Sequence, residues 1–463
     1  MLTYSFEGIA CPLYEHLARC LKKDIESGRI AAGEKLPSKR AFAENLGVST
    51  VTVEGAYRQL ALEGYVHSEA KRGWFAEKIG RTLPESRPLA LAQPLPEPPE
   101  PPAFRWDLSG GHADPEAFPF SAWGRLGRET LSEKRLLMRR SPAAGVPELR
   151  RAIAKHLAAF RGMAVDPAQI VVGAGSEYLY GLAIQLLGRD RLFCLENPGY
   201  APIARICASQ GAAFAYAGLD ASGLIPAELR ATGAAVAHVS PTHQFPTGAT
   251  MPAARRYELL AWASEAPGRF IIEDDYDSEF GTDGRPVPAL QSIDAEGRVI
   301  YMNTFTKSLA STVRLAYMVL PPELLEEYRR KLAFLACTVS NFEQRLVAKF
   351  LERGFFERHL NRMRTRYAKR REAVLEAIRR SPLAPRCEAI ANRSGLHFLL
   401  KIETEVPDAL LSSRLAALGI RLSPLSAFCA GEGPRPEHLF LIAYAGIDPE
   451  DLPEALRLIA REI

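Results

Sequence analysis

Short apolar runs that alternate with helical segments between residues 170 and 320 constrain the fold of this chain more than any other feature. These runs read QIVVGAG, RLFCLENPGY, AAVAHVSP, RFIIEDD, RVIYMNTF and RLAYMVLP. Because strands buried on both faces are apolar throughout, the alternation predicts an α/β fold with a mostly parallel sheet covered by helices. A long helical region follows from about residue 321, and the later runs GLHFLLKIE and HLFLIAYAG indicate a small α+β subdomain at the C-terminus.

A proline-rich segment at residues 80–104 has no helical or strand period, so we expect a semi-extended linker there. It separates a head, residues 1–79, from a body, residues 105–463. No apolar run approaches the roughly 20 residues of a membrane span, and the N-terminus lacks a signal-peptide pattern, which predicts a cytoplasmic protein. The seven cysteines are scattered, and we predict no metal site.

The head shows the pattern of three helices followed by a hairpin. Apolar residues recur every four positions from Leu13 to Ile25, which predicts a first helix. Ser38 and Gly47 are typical of the start and end of a second helix, and Ser49 of the start of a third. The run YVHSEAKRGWFAE then predicts two short strands around a basic turn. This order of elements indicates a winged helix-turn-helix.

In a helix-turn-helix, the N-terminal residues of the recognition helix meet the edges of the bases. The candidate DNA contacts are therefore Ser49, Thr50 and Thr52, together with the basic residues Lys39, Arg40, Lys71 and Arg72. Residues 1–78 carry eleven Lys and Arg against ten Asp and Glu, so electrostatic attraction to DNA depends on clustering. The pattern alone also fits an interaction module whose charges face water.

The run LPSKRAFAENLGVSTVTVEGAYRQLALEGYV resembles the DNA-binding domain of GntR-type bacterial regulators at most of its positions. The resemblance implies that Arg40, the start of the third helix and the wing at Gly73 approach double-stranded DNA. Thr50 departs from the pattern, because many members of the family carry arginine at this position.

Three features of the body together suggest a cofactor site. One strand ends at Asp274 and Asp275, the next ends at Lys307, and a Gly175-Ser176 turn opens a helix after an earlier strand. Each alone also fits a solvated loop or a surface lysine. Pyridoxal phosphate needs an amine for its aldehyde, a carboxylate beside its ring nitrogen and a helix start for its phosphate. The set therefore predicts a pyridoxal-phosphate site at the carboxyl edge of the sheet.

The body is similar to fold-type I aminotransferases through segments such as SPTHQFPTG, IIEDDYDSEFG and NTFTKSL, and the joined architecture resembles the MocR-type subfamily of GntR regulators. The resemblance implies that Lys307 forms the Schiff base, Asp274 pairs with the ring nitrogen, Tyr276 bonds the ring hydroxyl and Tyr200 stacks on the ring. The phosphate end would comprise Gly175, Ser176, Glu177, Thr304, Thr306 and Arg314. It also implies a homodimer that reads two half-sites.

Several positions depart from the enzymes. Phe245 replaces the asparagine that bonds the ring hydroxyl in aminotransferases, and the same change occurs in MocR-type regulators. Leu441, Gly446 and Pro202 stand where aminotransferases or a γ-aminobutyrate sensor carry the arginines that hold a carboxylate. We therefore expect a transcriptional regulator, and not an enzyme, that senses a small amine or amino acid, or pyridoxal phosphate itself in vitamin B6 metabolism. The alternatives are an active aminotransferase with an accessory head and a cofactor-free scaffold.

Overall fold

The structure, a computed structural model, describes residues 2–6, 8–9, 11–79, 103–110, 115–281, 287–390, 396–431, 433 and 435–463. Of the predicted linker, all but residues 103 and 104 lie outside the described residues. Two compact units are formed, residues 1–100 and residues 101–463. No helix in the described part of the chain is long and apolar enough to cross a membrane.

The head contains the three predicted helices and the hairpin. They are α1 (Leu13–Glu26), α2 (Lys39–Leu46), α3 (Thr50–Leu62), β1 (Val66–Glu69) and β2 (Gly73–Ala76), and the two strands pair antiparallel. The predicted caps are confirmed, because the Ser38 and Ser49 hydroxyls accept backbone N–H groups of the first turns of α2 and α3. Gly47 ends α2 with φ 66°, a left-handed conformation that glycine adopts without strain.

The body begins with β3 (Trp106–Asp107) and the helices α4 (Phe120–Ser132), α5 (Lys134–Leu137) and α6 (Pro147–Arg161). The large sheet and its helices follow as β4 (Ile170–Gly173), α7 (Ser176–Leu187), β5 (Phe193–Asn197), α8 (Pro202–Ser209), β6 (Phe214–Asp220), β7 (Gly223–Leu224), α9 (Pro226–Thr232), β8 (Val236–Val239), α10 (Ala253–Ser264), β9 (Phe270–Asp274), β10 (Val299–Thr304) and β11 (Ala316–Val319). The remaining elements are α11 (Pro322–Lys331), α12 (Asn341–Glu352), α13 (Phe355–Arg379), β12 (Cys387–Ile390), β13 (Phe398–Ile402), α14 (Asp408–Ala417), β14 (Ile420–Arg421), β15 (Ser423–Pro424), β16 (Leu439–Ile442) and α15 (Leu452–Glu462).

The large sheet has the strand order β4-β11-β10-β9-β8-β5-β6-β7. Strands β10, β9, β8, β5 and β6 pair in parallel, while β11 is antiparallel to both of its neighbours. The predicted, mostly parallel sheet is therefore confirmed, and all six predicted strands are present. Strand β6 was not predicted, because its alanines and glycine have weak strand propensity.

The sheet is apolar on both faces, as the continuous apolar runs predicted. Val171 and Ile300 pack into one hydrophobic cluster, whereas their chain neighbours Val172 and Tyr301 pack into another. This alternation follows from the two-residue period of a strand and requires helices on both sides. The predicted C-terminal subdomain is also confirmed, with an antiparallel sheet of order β12-β13-β16-β15.

The direction of the strands decides where polar residues gather. Because β4, β5, β8, β9 and β10 all run the same way, their carboxyl ends lie along one edge of the sheet. Ligands of open α/β sheets bind at this edge.

Candidate functional site

The predicted DNA contacts of the head lie at the starts of α2 and α3 and in the hairpin turn. Ser49 and Thr50 are exposed at the start of α3, but the Ser49 and Thr52 hydroxyls lie 2.9 Å apart and are hydrogen-bonded to each other. Val51 was not predicted, and it is 76% exposed in the first turn of α3. An exposed apolar side chain at this position can contact a thymine methyl group.

The basic residues of the head differ in their availability. The Lys39 ammonium lies 3.2 Å from Glu54, whereas Arg40 on the same helix is exposed. Lys71 and Arg72 are exposed at the tip of the wing, and Arg72 pairs with Glu69. Gly73 has φ 117°, which a side chain would strain.

A cavity of about 260 Å³ lies at the carboxyl edge of the large sheet and brings together nine of the ten residues predicted to form the cofactor site. Its lining comprises Ser109, Ser176, Glu177, Tyr200, Ser240, Phe245, Asp274, Tyr276, Thr304, Thr306, Lys307, Arg314, Tyr367, Leu396, His397, Leu441, Ala443 and Ala445. The tenth, Gly175, lies against the wall, because a Cβ there would overlap the Arg314 guanidinium. Residues from β9, β10, α7 and the C-terminal subdomain thus converge on one space.

Lys307 lies in the turn that follows β10, at the wall of this cavity. Burial lowers the pKa of its amine below the ordinary 10.5, although the carboxylate of Asp277 partly opposes this effect. A lowered pKa increases the fraction of unprotonated amine at neutral pH. The unprotonated amine is the form that attacks an aldehyde.

Asp274 and Asp275 are adjacent in the chain but have separate surroundings. Asp274 lines the cavity, and one of its oxygens lies 3.8 Å from Nε2 of His238 on β8. The same nitrogen of His238 lies 2.9 Å from the Tyr180 hydroxyl. The Asp275 carboxylate lies 3.2 Å from the buried Arg161 guanidinium. Only Asp274 is therefore placed to meet a ligand in the cavity.

Phe245 lies at the centre of an aromatic wall. Its ring makes edge-to-face contacts with Tyr200, Tyr276, His397 and Phe428, at centroid distances from 5.3 to 6.2 Å. The Tyr276 hydroxyl is buried and has no hydrogen-bond partner among the described residues. Because a buried, unbonded hydroxyl is costly, a ligand that accepts its hydrogen bond is expected here.

Residues around the start of α7 and the end of β10 supply the features of an anion site. Ser176 opens α7, and the first-turn N–H groups of a helix have no acceptor within the helix. The Thr304 and Thr306 hydroxyls lie 2.7 Å apart beside them. Arg314 donates to Glu177 at 2.8 Å, and both side chains are about half exposed. The helix N–H groups, the two threonine hydroxyls and the Arg314 guanidinium can hold a phosphate.

The C-terminal subdomain contributes small and apolar side chains to the lining, namely Leu396, Leu441, Ala443 and Ala445. Burial lowers the pKa of the neighbouring His397 to about 4, so its imidazole is neutral at pH 7. Among the described lining residues, the cations are thus Lys307 and Arg314. Neither cation comes from the C-terminal subdomain, so a carboxylate bound against that subdomain would find no cation among the described lining residues that it contributes.

Several site residues were not predicted because no local motif marks them. His397 enters from β13's N-terminal side and contacts Phe245, more than a hundred positions away in the chain. His243 and Asp277 form a buried pair, with Nδ1 and Oδ1 2.7 Å apart. Burial alone would lower the pKa of His243, but the carboxylate of Asp277 raises it overall.

Comparison with known proteins agrees with this arrangement. Residues 110–459 match the family "Aminotransferase class I and II", and residues 13–76 match "Bacterial regulatory proteins, gntR family". The chain is 38% identical to the uncharacterized HTH-type transcriptional regulator YhdI of Bacillus subtilis strain 168, over 95% of this chain and 93% of that protein. It is 32% identical to MocR of Rhizobium meliloti, a probable rhizopine catabolism regulatory protein, over 96% of this chain and 92% of that one.

Among solved structures, the multiple substrate aminotransferase from Thermococcus profundus is similar to this chain with a TM-score of 0.69 and 26% identity. The similarity covers 79% of this chain and 92% of the aminotransferase.

Proposed function

The chain belongs to the MocR-type subfamily of the GntR family of bacterial regulators, and from this premise we propose that it is a transcriptional regulator whose body binds pyridoxal phosphate and senses a small molecule. One observation carries the proposal. The lysine, the aspartate, the tyrosine and the anion-binding helix start that this cofactor needs all line one cavity, in a chain that begins with a winged helix-turn-helix.

The residues fit the cofactor at each of its polar groups. Lys307 supplies the amine, and the Asp274 carboxylate supplies the partner for the ring nitrogen. The unbonded Tyr276 hydroxyl can donate to the ring oxygen, and Tyr200 and Phe245 supply aromatic walls. Pyridoxal phosphate, when bound, supplies an aldehyde that an amine captures and a ring that withdraws electrons.

Partners of Asp274 outside the cavity support the same assignment. His238 and Tyr180 are buried behind the carboxylate and restrict its orientation. Glu196 lies nearby, and burial raises the pKa of its carboxyl to about 7, although the His238 imidazole opposes this shift. The orientation of the Asp274 carboxylate toward the cavity is therefore set by buried polar side chains.

Sensing is favoured over turnover by the lining that the C-terminal subdomain contributes. An enzyme that acts on amino acids needs a cation to bind the substrate carboxylate. Arginine suits this role best, because its guanidinium binds a carboxylate through two parallel hydrogen bonds. Leu441 and its neighbours provide an apolar surface instead. We infer that the effector is an amine without a carboxylate or the cofactor itself, and that any transamination is residual.

The regulator would act in the cytoplasm, where it binds operator DNA through the exposed residues of the head. We propose a homodimer, because two heads are needed to read two half-sites. A ligand changes DNA binding only through a difference in its affinity for two states of the protein.

The experiment compares the wild-type protein with Lys307→Ala and with the control Lys401→Ala, which removes an exposed lysine from β13. Pyridoxal phosphate should give a near-visible absorbance band in wild type and control that Lys307→Ala lacks. Binding to the DNA upstream of its own gene should change when pyridoxal phosphate or simple amines are added. Identical spectra for wild type and Lys307→Ala would refute the cofactor assignment, and turnover with keto acids at about 1 s⁻¹ or faster would refute sensing.

A further inference from the structure

A second, smaller cavity adjoins the one assigned to the cofactor. It has a volume of about 70 Å³, and we call it the side pocket. Tyr200, Ser240 and Phe245 line both cavities, so the side pocket and the larger cavity meet at these three side chains. Much of the remaining lining is apolar and includes Leu195 and Ile203. Among the residues that the structure describes, no lysine or arginine lines the side pocket.

The wall of the side pocket includes residues 428–430, which precede β16 and belong to the C-terminal subdomain. The Gly199 N–H donates to the Phe428 carbonyl at 3.2 Å. The Asn197 side chain accepts from the Ala430 N–H at 2.9 Å and donates to the Ala430 carbonyl at 3.2 Å. Because three hydrogen bonds join this wall to the end of β5, the side pocket is formed by the fold itself, as ligand sites usually are.

Glu196 supplies the side pocket with a carboxyl group, and this residue is only 5% exposed. Its Oε2 accepts from the Ser240 backbone N–H and from the Gln244 side chain, both at 3.3 Å. Its Oε1 is buried and has no hydrogen-bond partner among the described residues. Burial raises the pKa of this carboxyl to about 7. A buried carboxylate oxygen without a donor is costly, which indicates that a ligand supplies the missing donor.

The surroundings of Glu196 suit an ammonium group on an aliphatic chain. The rings of Tyr200, Tyr216, Phe245 and Phe428 line the side pocket, and cations bind favourably over aromatic faces. A primary ammonium offers three N–H donors and a positive charge, which a buried carboxylate needs as its partner. The apolar part of the lining can pack against methylene groups.

We propose that the effector is an aliphatic diamine, of which one amine reaches Lys307 in the larger cavity and the other binds Glu196 in the side pocket as an ammonium. The inference rests on the proposed function, because that function makes the larger cavity the site for an amine. It goes further by naming the class of effector. An amino acid in the same orientation would place its carboxylate beside Glu196, and two like charges in a buried site repel each other.

The test is calorimetric titration of the full chain, loaded with pyridoxal phosphate and freed of unbound cofactor, at pH 8, where a carboxyl with a pKa of about 7 is ionised. The ligands are 1,4-diaminobutane and 1,6-diaminohexane, each compared with the monoamine of equal length. Because the second amine adds a charged hydrogen bond, wild type should bind at least one diamine about 10- to 100-fold more tightly than its monoamine.

The nearly isosteric variant Glu196→Gln removes the charge and should bind each diamine and its monoamine to within about twofold. The matched control Glu326→Gln removes the carboxylate of an exposed ion pair on α11 and should keep the preference of wild type. Should Glu196→Gln fail to fold, Ala427→Leu enlarges an exposed residue of the side-pocket lining and leaves the carboxylate in place. This variant should also lose the preference for the diamine.

The outcomes separate this inference from the proposed function. If wild type takes up pyridoxal phosphate but binds diamines no more tightly than monoamines, the diamine inference is wrong and the regulator assignment stands. A preference that persists in Glu196→Gln, or in Ala427→Leu where that variant replaces it, would place the second ammonium elsewhere and overturn the inference. If wild type gives no absorbance band with pyridoxal phosphate, both the proposed function and the diamine inference are wrong.

Discussion

Replacing Glu177 by glutamine is expected to tighten the binding of pyridoxal phosphate, although the sequence places Glu177 among the cofactor-binding residues. The Glu177 carboxylate accepts a hydrogen bond from Arg314 at 2.8 Å, at the end of the cavity where α7 begins. A phosphate bound there would share that guanidinium with a carboxylate of the same sign. The two anions would then compete for one cation.

The size of the effect follows from the exposure of the pair. Both side chains are about half exposed, so their ion pair contributes at most about 1 kcal/mol. A carboxylate and a doubly charged phosphate about 6 Å apart repel by roughly 1 kcal/mol in a medium as polar as water. Glu177→Gln should therefore lower the Kd for pyridoxal phosphate about fivefold. Arg314→Gln removes a charged hydrogen bond to phosphate, and should raise the Kd by about 10- to 100-fold.

The assay is a titration of the cofactor-free protein with pyridoxal phosphate and, separately, with pyridoxal, which lacks the phosphate. Glu177→Gln and Arg314→Gln should each change the Kd for pyridoxal phosphate and leave the Kd for pyridoxal unchanged. Glu326→Gln, which removes the glutamate of an exposed ion pair on α11, is the control. If Glu177→Gln weakens binding of pyridoxal phosphate, the carboxylate positions Arg314 and does not compete with the phosphate, and the reasoning is wrong.

Three further predictions concern the cavity, the protein core and the head. Gly175→Ala imposes a side chain at φ 95° and displaces Arg314. It should therefore lower the free energy of unfolding by about 1–3 kcal/mol and weaken phosphate binding. An unchanged urea midpoint and an unchanged Kd for pyridoxal phosphate would contradict this. Since the pKa of His243 is raised above 6.5 by Asp277, its stabilisation is complete below about pH 6.5 and is lost as the pH rises through the folded-state pKa. In urea unfolding, His243→Gln should not show this loss of stability as the pH rises. If its stability depends on pH as that of the wild type does, the His243–Asp277 pair does not titrate. Arg40→Gln should lower the salt slope of operator binding by about 0.9, whereas Lys39→Gln should lower it less because Lys39 pairs with Glu54; equal effects in the same titration would contradict the difference.

Most of the cavity could be predicted because its residues follow from strand direction. Asp274 ends β9, Lys307 lies in the turn after the neighbouring parallel strand β10, and Ser176 follows β4, whose carboxyl end lies at the same edge. Chain position therefore implies spatial position for these residues. The roles of these residues toward pyridoxal phosphate remain a prediction, because they were assigned from the resemblance to aminotransferases.

The residues that were missed reach the site by routes that no local rule describes. His397 precedes a strand of the C-terminal subdomain, and it reaches Phe245 only because that subdomain packs beside the large sheet. His238 is an isolated polar residue within an apolar strand, and its partners Tyr180 and Asp274 come from two other elements. Such contacts depend on tertiary packing, which neither hydrophobic period nor motif spacing specifies.

The alternation of side chains at the end of β9 explains why two adjacent aspartates have different roles. Asp275 directly follows the strand, and its N–H continues the ladder by donating to the Met302 carbonyl of β10. Successive residues of a strand point to opposite faces, so a carboxylate at Asp274 reaches the cavity only if Asp275 points away from it. Burying Asp275 without a partner would be costly, and Arg161 together with the Ser278 and Tyr301 hydroxyls compensates its charge. A ligand-binding acid at this strand end therefore requires a structural ion pair behind it. This requirement makes Arg161 a condition for the site, although it never touches the ligand.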